Sequence, residues 1–274
     1  MQKEVQPVPD GARKQPKTED ALYVQSVEKA FRVLFAVGRN RAPMGLTQLA
    51  AASGLDRSAA QRFSHTLERL GYLRKDPRKR RFAITPRALE IGAMYLGSDV
   101  LVERGRPWLS ELCRQTGETA SLTMLDGTDV LYLLRRHADS VTRARVTIGS
   151  RLPAFCTSSG IAMLAALPRP AAMAVLEASD RTAFTARTVT DIPALLSRLD
   201  EVARDGYAMA VEELFAGAAS IAVPVLGSAG EPVAAVHVTF ACDRCPPEEA
   251  RRRFLPLLKQ SAQGLSRSLA AGGA

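Results

Sequence analysis

LTQLAAASGLDRSAAQRFSHTLERLGYL, residues 46–73, reads as two helices joined by a tight turn. Thr47 can cap a short helix, Gln48–Ser53, that turns Leu49 and Ala50 inward, and Gly54 stands just past its end. Asp56 can cap a second helix running to about Leu70. Its inward stripe is Ala60, Phe63, Leu67 and Leu70, and its outer face carries Arg57, Ser58, Gln61, Arg62 and His65. Two short helices separated by Gly54-Leu55 have the size and spacing of a helix-turn-helix.

The flanks sharpen that reading. Upstream, Ser26 can cap a helix that Gly38 ends, with Val27, Phe31, Leu34 and Phe35 at helical spacing on its inner side. Downstream, Tyr72–Arg74 and Arg81–Ile84 can pair as strands around the turn Asp76–Lys79. From Arg57 to Arg87 the chain holds 10 basic and 2 acidic residues. A basic hairpin directly after a helix-turn-helix is a wing. A small helical bundle with a solvated basic loop would share the periodicity. It would not explain why polar and basic residues gather on the third helix and the hairpin together. Arg and Gln suit guanine and adenine edges, whereas Arg78, Lys79 and Arg80 of the wing suit phosphates.

Net charge divides the chain at the same place. Met1–Ser98 carries 18 basic and 9 acidic residues, and Asp99–Ala274 carries 19 of each. A field confined to one end suggests a polyanionic partner for that end alone. With 274 residues, 46% hydrophobic and 24% charged, each half can build its own core. No apolar run reaches the ~18 residues of a membrane span. Met1–Asp20 lacks an apolar signal region and is expected to be a disordered arm. Cys113, Cys156, Cys242 and Cys245 are scattered, which fits a reduced, cytoplasmic setting better than a disulfide framework.

Thr85-Pro86 is a cap followed by a proline suited to the first helical position. It opens a connecting helix, Pro86–Leu96, with Leu89, Ile91, Met94, Tyr95 and Leu96 as apolar positions. A further helix, Leu101–Gln115, turns Trp108, Leu109 and Leu112 inward. Beyond Thr116 the pattern is mixed. Strands are expected at Ala120–Leu125, Asp129–Arg136, Arg143–Ile148, Ser220–Leu226 and Pro232–Phe240. Helices are expected at Thr157–Leu167, Ala171–Ala178, Pro193–Arg204 and Pro246–Ala270. This interleaving predicts an α+β sheet with helices on its faces.

Two features of this neutral half point to a ligand pocket. Cys156-Thr-Ser-Ser-Gly160 opens a helix, where free backbone N–H groups and hydroxyls suit a carboxylate. On the strand Pro232–Phe240, His237 and Thr239 interrupt one apolar face two residues apart and point into the same space. Blander readings stand beside these: Ser158 or Ser159 only caps the helix, and His237 is a core histidine bonded to a carbonyl. Cys156 with His237 as base would make a nucleophile, but no third orienting residue is evident. Cys242 and Cys245 have the spacing of half a zinc site and lack a second pair, so neither metal nor cofactor is expected.

The chain resembles the IclR family of bacterial transcription regulators. VQSVEKAFRVLFAV, residues 46–73 and RFAITPRALEIGAMYL carry the likeness in the first half. GSRLPAFCTSSGIAMLAAL, DGYAMAVEELFAGAASIAVPV and EPVAAVHVTF carry it in the second. It spans roughly Ala21 to Leu269. The resemblance implies a winged helix-turn-helix over 21–85, a linker helix over 86–98 that helps pair two such units, and a GAF-like effector and oligomerisation domain over 99–274. It implies double-stranded operator DNA as partner, a symmetric dimer or dimer of dimers, and control by a small metabolite, with the aromatic-acid-responsive members nearest. It also implies an effector pocket lined by Ser158, Ser159, Gly160, Ser220, His237 and Thr239. Where some members place an acidic pocket residue, this chain has Ala210 or Val211. The expected activity is regulation of transcription, not catalysis. The rival is a small-molecule-binding module or enzyme with a nonspecific nucleic-acid-binding arm.

Overall fold

The computed structural model describes residues 22–40, 42–137 and 146–271. The chain divides into two compact units between Tyr95 and Leu96. The arm expected over 1–20 lies outside the described residues.

The first unit contains α1 (Gln25–Arg39), β1 (Met44–Gly45), α2 (Leu46–Ser53), α3 (Arg57–Arg69), β2 (Leu73–Lys75) and β3 (Arg81–Ile84). Its core is Val33, Leu34, Val37, Leu49, Leu67, Leu73 and Phe82. Gly54 ends α2 in the left-handed region at φ 62°, and the Asp56 side chain accepts from Ala59 N to start α3, as the sequence predicts. β2 and β3 pair antiparallel in the expected wing.

Several local expectations are corrected. α1 begins after Val24, with no side-chain cap, so Ser26 lies inside it. Gly38 does not end the helix. A Cβ there would meet Ile84 Cδ1 at 3.3 Å, so its role is to let β3 approach α1. Val27 and Phe35 are each 53% exposed and Phe31 46%, while Val33 and Val37 are buried. α1 carries two apolar faces, and only Leu34 was assigned to the one that enters the core. Leu70 likewise ends up exposed beyond α3. Thr47 sits within α2, whose N-cap is Gly45 with Gln48 reaching back to its N–H. β1, too short to read from sequence, adds a third strand beside β3. Thr85 does not cap the connecting helix. Its hydroxyl donates to Gly71 O at 2.6 Å, and α4 (Ala88–Ser98) starts after Pro86.

The second unit has α5 (Val100–Thr116), β4 (Thr119–Asp126), β5 (Asp129–Arg136), β6 (Arg151–Pro153), a single 3-10 turn at Ala154–Cys156, α6 (Ser158–Ala166), α7 (Arg169–Ala178), α8 (Ile192–Asp205), β7 (Ala208–Val211), β8 (Ala218–Leu226), β9 (Pro232–Ala241) and α9 (Pro247–Ala271). The strands form one antiparallel sheet in the order β6-β5-β4-β9-β8-β7. Ala234, Val236, Val238 and Phe240 of β9 pack on one face with Leu109 and Leu112 of α5 and Phe254 and Leu258 of α9. Trp108, half-buried, lies over Gly264 of α9. The opposite face carries α6, α7 and α8 on Ile161, Leu164, Leu176 and Leu199. The sheet is thus sandwiched between two helical layers, an α+β arrangement.

The strand expected at Arg143–Ile148 is not found where it can be seen. Residues 143–145 lie outside the described residues, and Val146–Ile148 is not a strand. The edge strand is β6, placed after the turn at Gly149 (φ 85°) and tied down by Arg151, which bonds Asp129 at 3.1 Å and pairs with Asp126. β7 went unread because four residues give too little alternation to recognise.

Candidate functional site: an exposed polar helix and a buried polar pocket

In the first unit, α3 is held by the residues around its start. The Gly54 carbonyl accepts from Arg32 of α1 at 3.1 Å, and Leu55 N bonds Ala50 O at 3.0 Å. Ala60, Ser64 and Leu67 face inward and fix the helix's rotation. Arg57, Ser58, Gln61, Arg62 and His65 are consequently all exposed. Among the described residues none of these five side chains has a hydrogen-bond or ion-pair partner, so their donors are free. In the wing, Asp76 Oδ1 accepts from Arg78 N and Lys79 N, each at 2.8 Å. Those backbone bonds hold its carboxyl below the usual range. Asp76 O accepts from Arg80 N at 2.8 Å, and Arg80 takes a positive φ of 51°. The turn therefore presents Arg78, Lys79 and Arg80 outward, exposed in succession.

In the second unit, a pocket lies between the sheet and the start of α6. Its walls include Ser158 and Ser159 of α6, Ser220 of β8 and His237 and Thr239 of β9. Gly160 is not on the wall; a Cβ there would lie 2.2 Å from Ala154 O, so the glycine serves packing. Thr157, not Ser158 or Ser159, caps α6, accepting from Gly160 N at 3.3 Å. Ser158 Oγ instead donates to Ser220 Oγ at 2.8 Å.

Residues that the sequence reading missed also line this space. Arg135 of β5 enters it at only 8% exposure, and its guanidinium carbon lies 5.8 Å from the Tyr132 ring centre. Arg135 and Arg136 are adjacent on a strand, so one of them must face the covered side; that signal was available. Tyr132 meets His237 edge to face at 5.4 Å. Burial raises the Tyr132 hydroxyl pKa to about 12, while burial and the Arg135 charge lower His237 to about 3. Glu213 also lines the pocket, but its carboxylate is held by Arg198 at 2.7 Å.

Four buried side-chain atoms among the described residues have no hydrogen-bond partner: Arg135 Nε, His237 Nδ1, Ser121 Oγ and Thr123 Oγ1. Ser121 is directly opposite Arg135 on one side and His237 on the other, and Thr123 is opposite Tyr132. All four thus lie on the pocket face of three adjacent strands. Each unsatisfied group costs about 1–3 kcal/mol, and such clusters belong to sites completed by a ligand or water.

Cys156 lies in the same pocket, but burial, reinforced by Glu213, pushes its thiol pKa up, opposite to what a nucleophile needs. Cys242 and Cys245 are free thiols, and among the described residues no three His, Cys, Asp or Glu side chains are placed to hold a metal. No helix there is long and apolar enough to cross a membrane.

Comparison with known proteins agrees with both halves. Residues 26–77 match the IclR helix-turn-helix domain, and residues 93–267 match the C-terminal domain of the bacterial transcriptional regulator IclR. The p-hydroxybenzoate hydroxylase transcriptional activator of Acinetobacter baylyi is 34% identical over 254 residues, 91% of this chain and 92% of its own length. The crystal structure of a transcriptional regulator from Rhodococcus sp. RHA1 superposes with a TM-score of 0.79 at 35% identity, over 91% of this chain and 99% of that one. A double mutant of the inducer-binding domain of PobR from Acinetobacter, in complex with 3-hydroxybenzoic acid, gives a TM-score of 0.57 at 32% identity, over 60% of this chain and 96% of its own.

Proposed function

We propose, on the premise that the chain belongs to the IclR family of bacterial transcriptional regulators, that this ligand-responsive regulator reads operator DNA with α3 and receives a small organic acid in the pocket beside α6. One observation carries the reading. Among the described residues, Arg57, Ser58, Gln61, Arg62 and His65 stand exposed together on α3, and Arg135, Ser121, Thr123 and His237 each keep a buried, unpartnered polar atom beside the pocket. The first suits base edges in a major groove, with Arg78, Lys79 and Arg80 on the flanking phosphates. The second suits a molecule small enough to be enclosed, supported by the hydroxyls of Ser158, Ser159, Ser220 and Thr239.

The protein works in the cytoplasm, as a symmetric dimer or a dimer of dimers. Val27, Phe31 and Phe35 of α1, and separately Leu89 of α4, are exposed apolar side chains suited to pairing DNA-binding units. Binding of the acid shifts the population of dimers spaced for two half-sites. An aromatic acid is favoured, because the p-hydroxybenzoate hydroxylase transcriptional activator of Acinetobacter baylyi is similar over 91% of this chain. Gel retardation of DNA fragments from upstream of candidate genes, in excess competitor DNA, tests the first half. Selective retention of one fragment is expected. Uniform loss to competitor would instead favour a binding module or enzyme with a nonspecific basic arm.

A further inference from the structure

We propose that Arg135 is the charge anchor of this site: the effector's carboxylate docks against Arg135, Ser121 and His237, while its other end presents a neutral hydrogen-bonding group to the Ser158–Ser220 pair. The inference rests on the pocket being the effector site, and it moves the charged end away from the start of α6.

Arg135 is a nearly buried cation, and no carboxylate among the described residues pairs with it. The nearest candidate in the pocket wall, Glu213, is already engaged by Arg198 through two bonds. A buried charge without a counter-charge is strongly disfavoured unless the protein keeps it for an incoming partner. Ser121 lies in register between Arg135 and His237, and all three offer an unpartnered donor on the same sheet face. An anion placed there satisfies them together, and a carboxylate has enough lone pairs to do so. His237 stays neutral in this setting, so the positive charge comes from Arg135.

The other end differs in kind. Ser158, Ser159, Ser220 and Thr239 supply hydroxyls and no charge, and Ser158 is already bonded to Ser220. Ser220 still has its own O–H to donate and both oxygens can accept, which fits a hydroxyl or carbonyl. Among the described residues, that end of the pocket wall offers no cation for a second negative charge, since Arg198 is already paired with Glu213. The ligand class is therefore a small monocarboxylate bearing a neutral polar group, such as a hydroxy acid, rather than a dicarboxylate.

Thermal melting of the full-length protein tests this with 4-hydroxybenzoate, benzoate, pyruvate and methyl 4-hydroxybenzoate as probes, on wild type, Arg135→Met and Arg135→Lys. Without ligand, Arg135→Met should melt at or above wild type, because an unpaired buried charge is gone. At least one acid should raise wild-type melting by several degrees and leave Arg135→Met unmoved. Arg135→Lys should keep part of the shift, and the ester should give none. If Arg135→Met melts well below wild type without ligand, Arg135 has a structural partner and the proposal fails. If the acid shift survives in Arg135→Met, the carboxylate docks elsewhere and the proposal fails while the pocket reading stands. If no acid shifts the wild type, the pocket reading itself fails and takes this inference with it.

Discussion

Gly160 packs so closely on the backbone of Ala154 that a Cβ on it would lie 2.2 Å from the Ala154 carbonyl oxygen and 2.4 Å from its Cα. This contact seats the first turn of α6 on the 3-10 turn before it. It also sets how deeply Ser158 and Ser159 enter the pocket. Gly160→Ala should therefore destabilise the protein by about 1–3 kcal/mol or more, since backbone cannot swing aside like a flexible side chain. Urea denaturation measures this. A midpoint equal to wild type would show that the two turns are free to separate.

His237 makes stability depend on pH. Its folded pKa is held down to about 3 from an ordinary 6.5. Between those values the unfolded chain binds a proton that the folded chain refuses, so stability should fall as pH drops through that window. Above pH ~6.5 the group contributes no slope. The groups facing it are Arg135, Tyr132, Cys156 and Glu213. Urea midpoints from pH 7 to pH 4 should decline less steeply in His237→Gln than in wild type. Identical slopes would mean that the imidazole titrates normally.

Gln61 lies exposed on the outer face of α3, its side chain without a partner among the described residues. Gln61→Ala should cost roughly 1–3 kcal/mol on the preferred DNA and little on random DNA. Filter-binding titrations on both DNAs decide this, and equal losses would mean that Gln61 does not read a base.

Arg78 and Lys79 should bind backbone. Changing both to Ala should weaken all sequences together and lower the slope of log K against log salt by about 0.9 per lost phosphate contact. An unchanged slope would make them a solvated turn.

The DNA-binding unit was largely legible in the sequence because its signals are local. Asp56 caps α3, Gly54 takes the left-handed conformation between the helices, and Asp76 closes the wing. What sequence could not settle was which of two apolar stripes on α1 enters the core. Phe31 and Phe35 look as fit for burial as Val33 and Val37, and only packing against α2 and α3 decides. In the second unit the alternation of β9 was readable, and the structure separates Val236 and His237 onto opposite faces. Arg135 was not picked out, because an arginine near a strand end looks like a solvated charge. The pocket that it lines is completed by Val146, Leu152 and the turn before α6, which arrive later in the chain. Ser121 and Thr123 were hidden similarly: period-two polar residues on a central strand stand out only once both neighbouring strands are known.

Occupancy of the pocket should change DNA binding. The most direct measurement is the affinity of the full-length protein for its preferred DNA, with and without an acid that raises its melting temperature, in wild type and Ser159→Asp. Ser159 is 1% exposed in the pocket wall, so an aspartate there adds bulk and a like charge where the ligand belongs. The expected result is a change of about 5- to 150-fold in wild-type affinity, and a Ser159→Asp protein that binds DNA normally and no longer responds. An acid that binds the wild type and leaves its DNA affinity unchanged would contradict the claim, as would a normal response in Ser159→Asp.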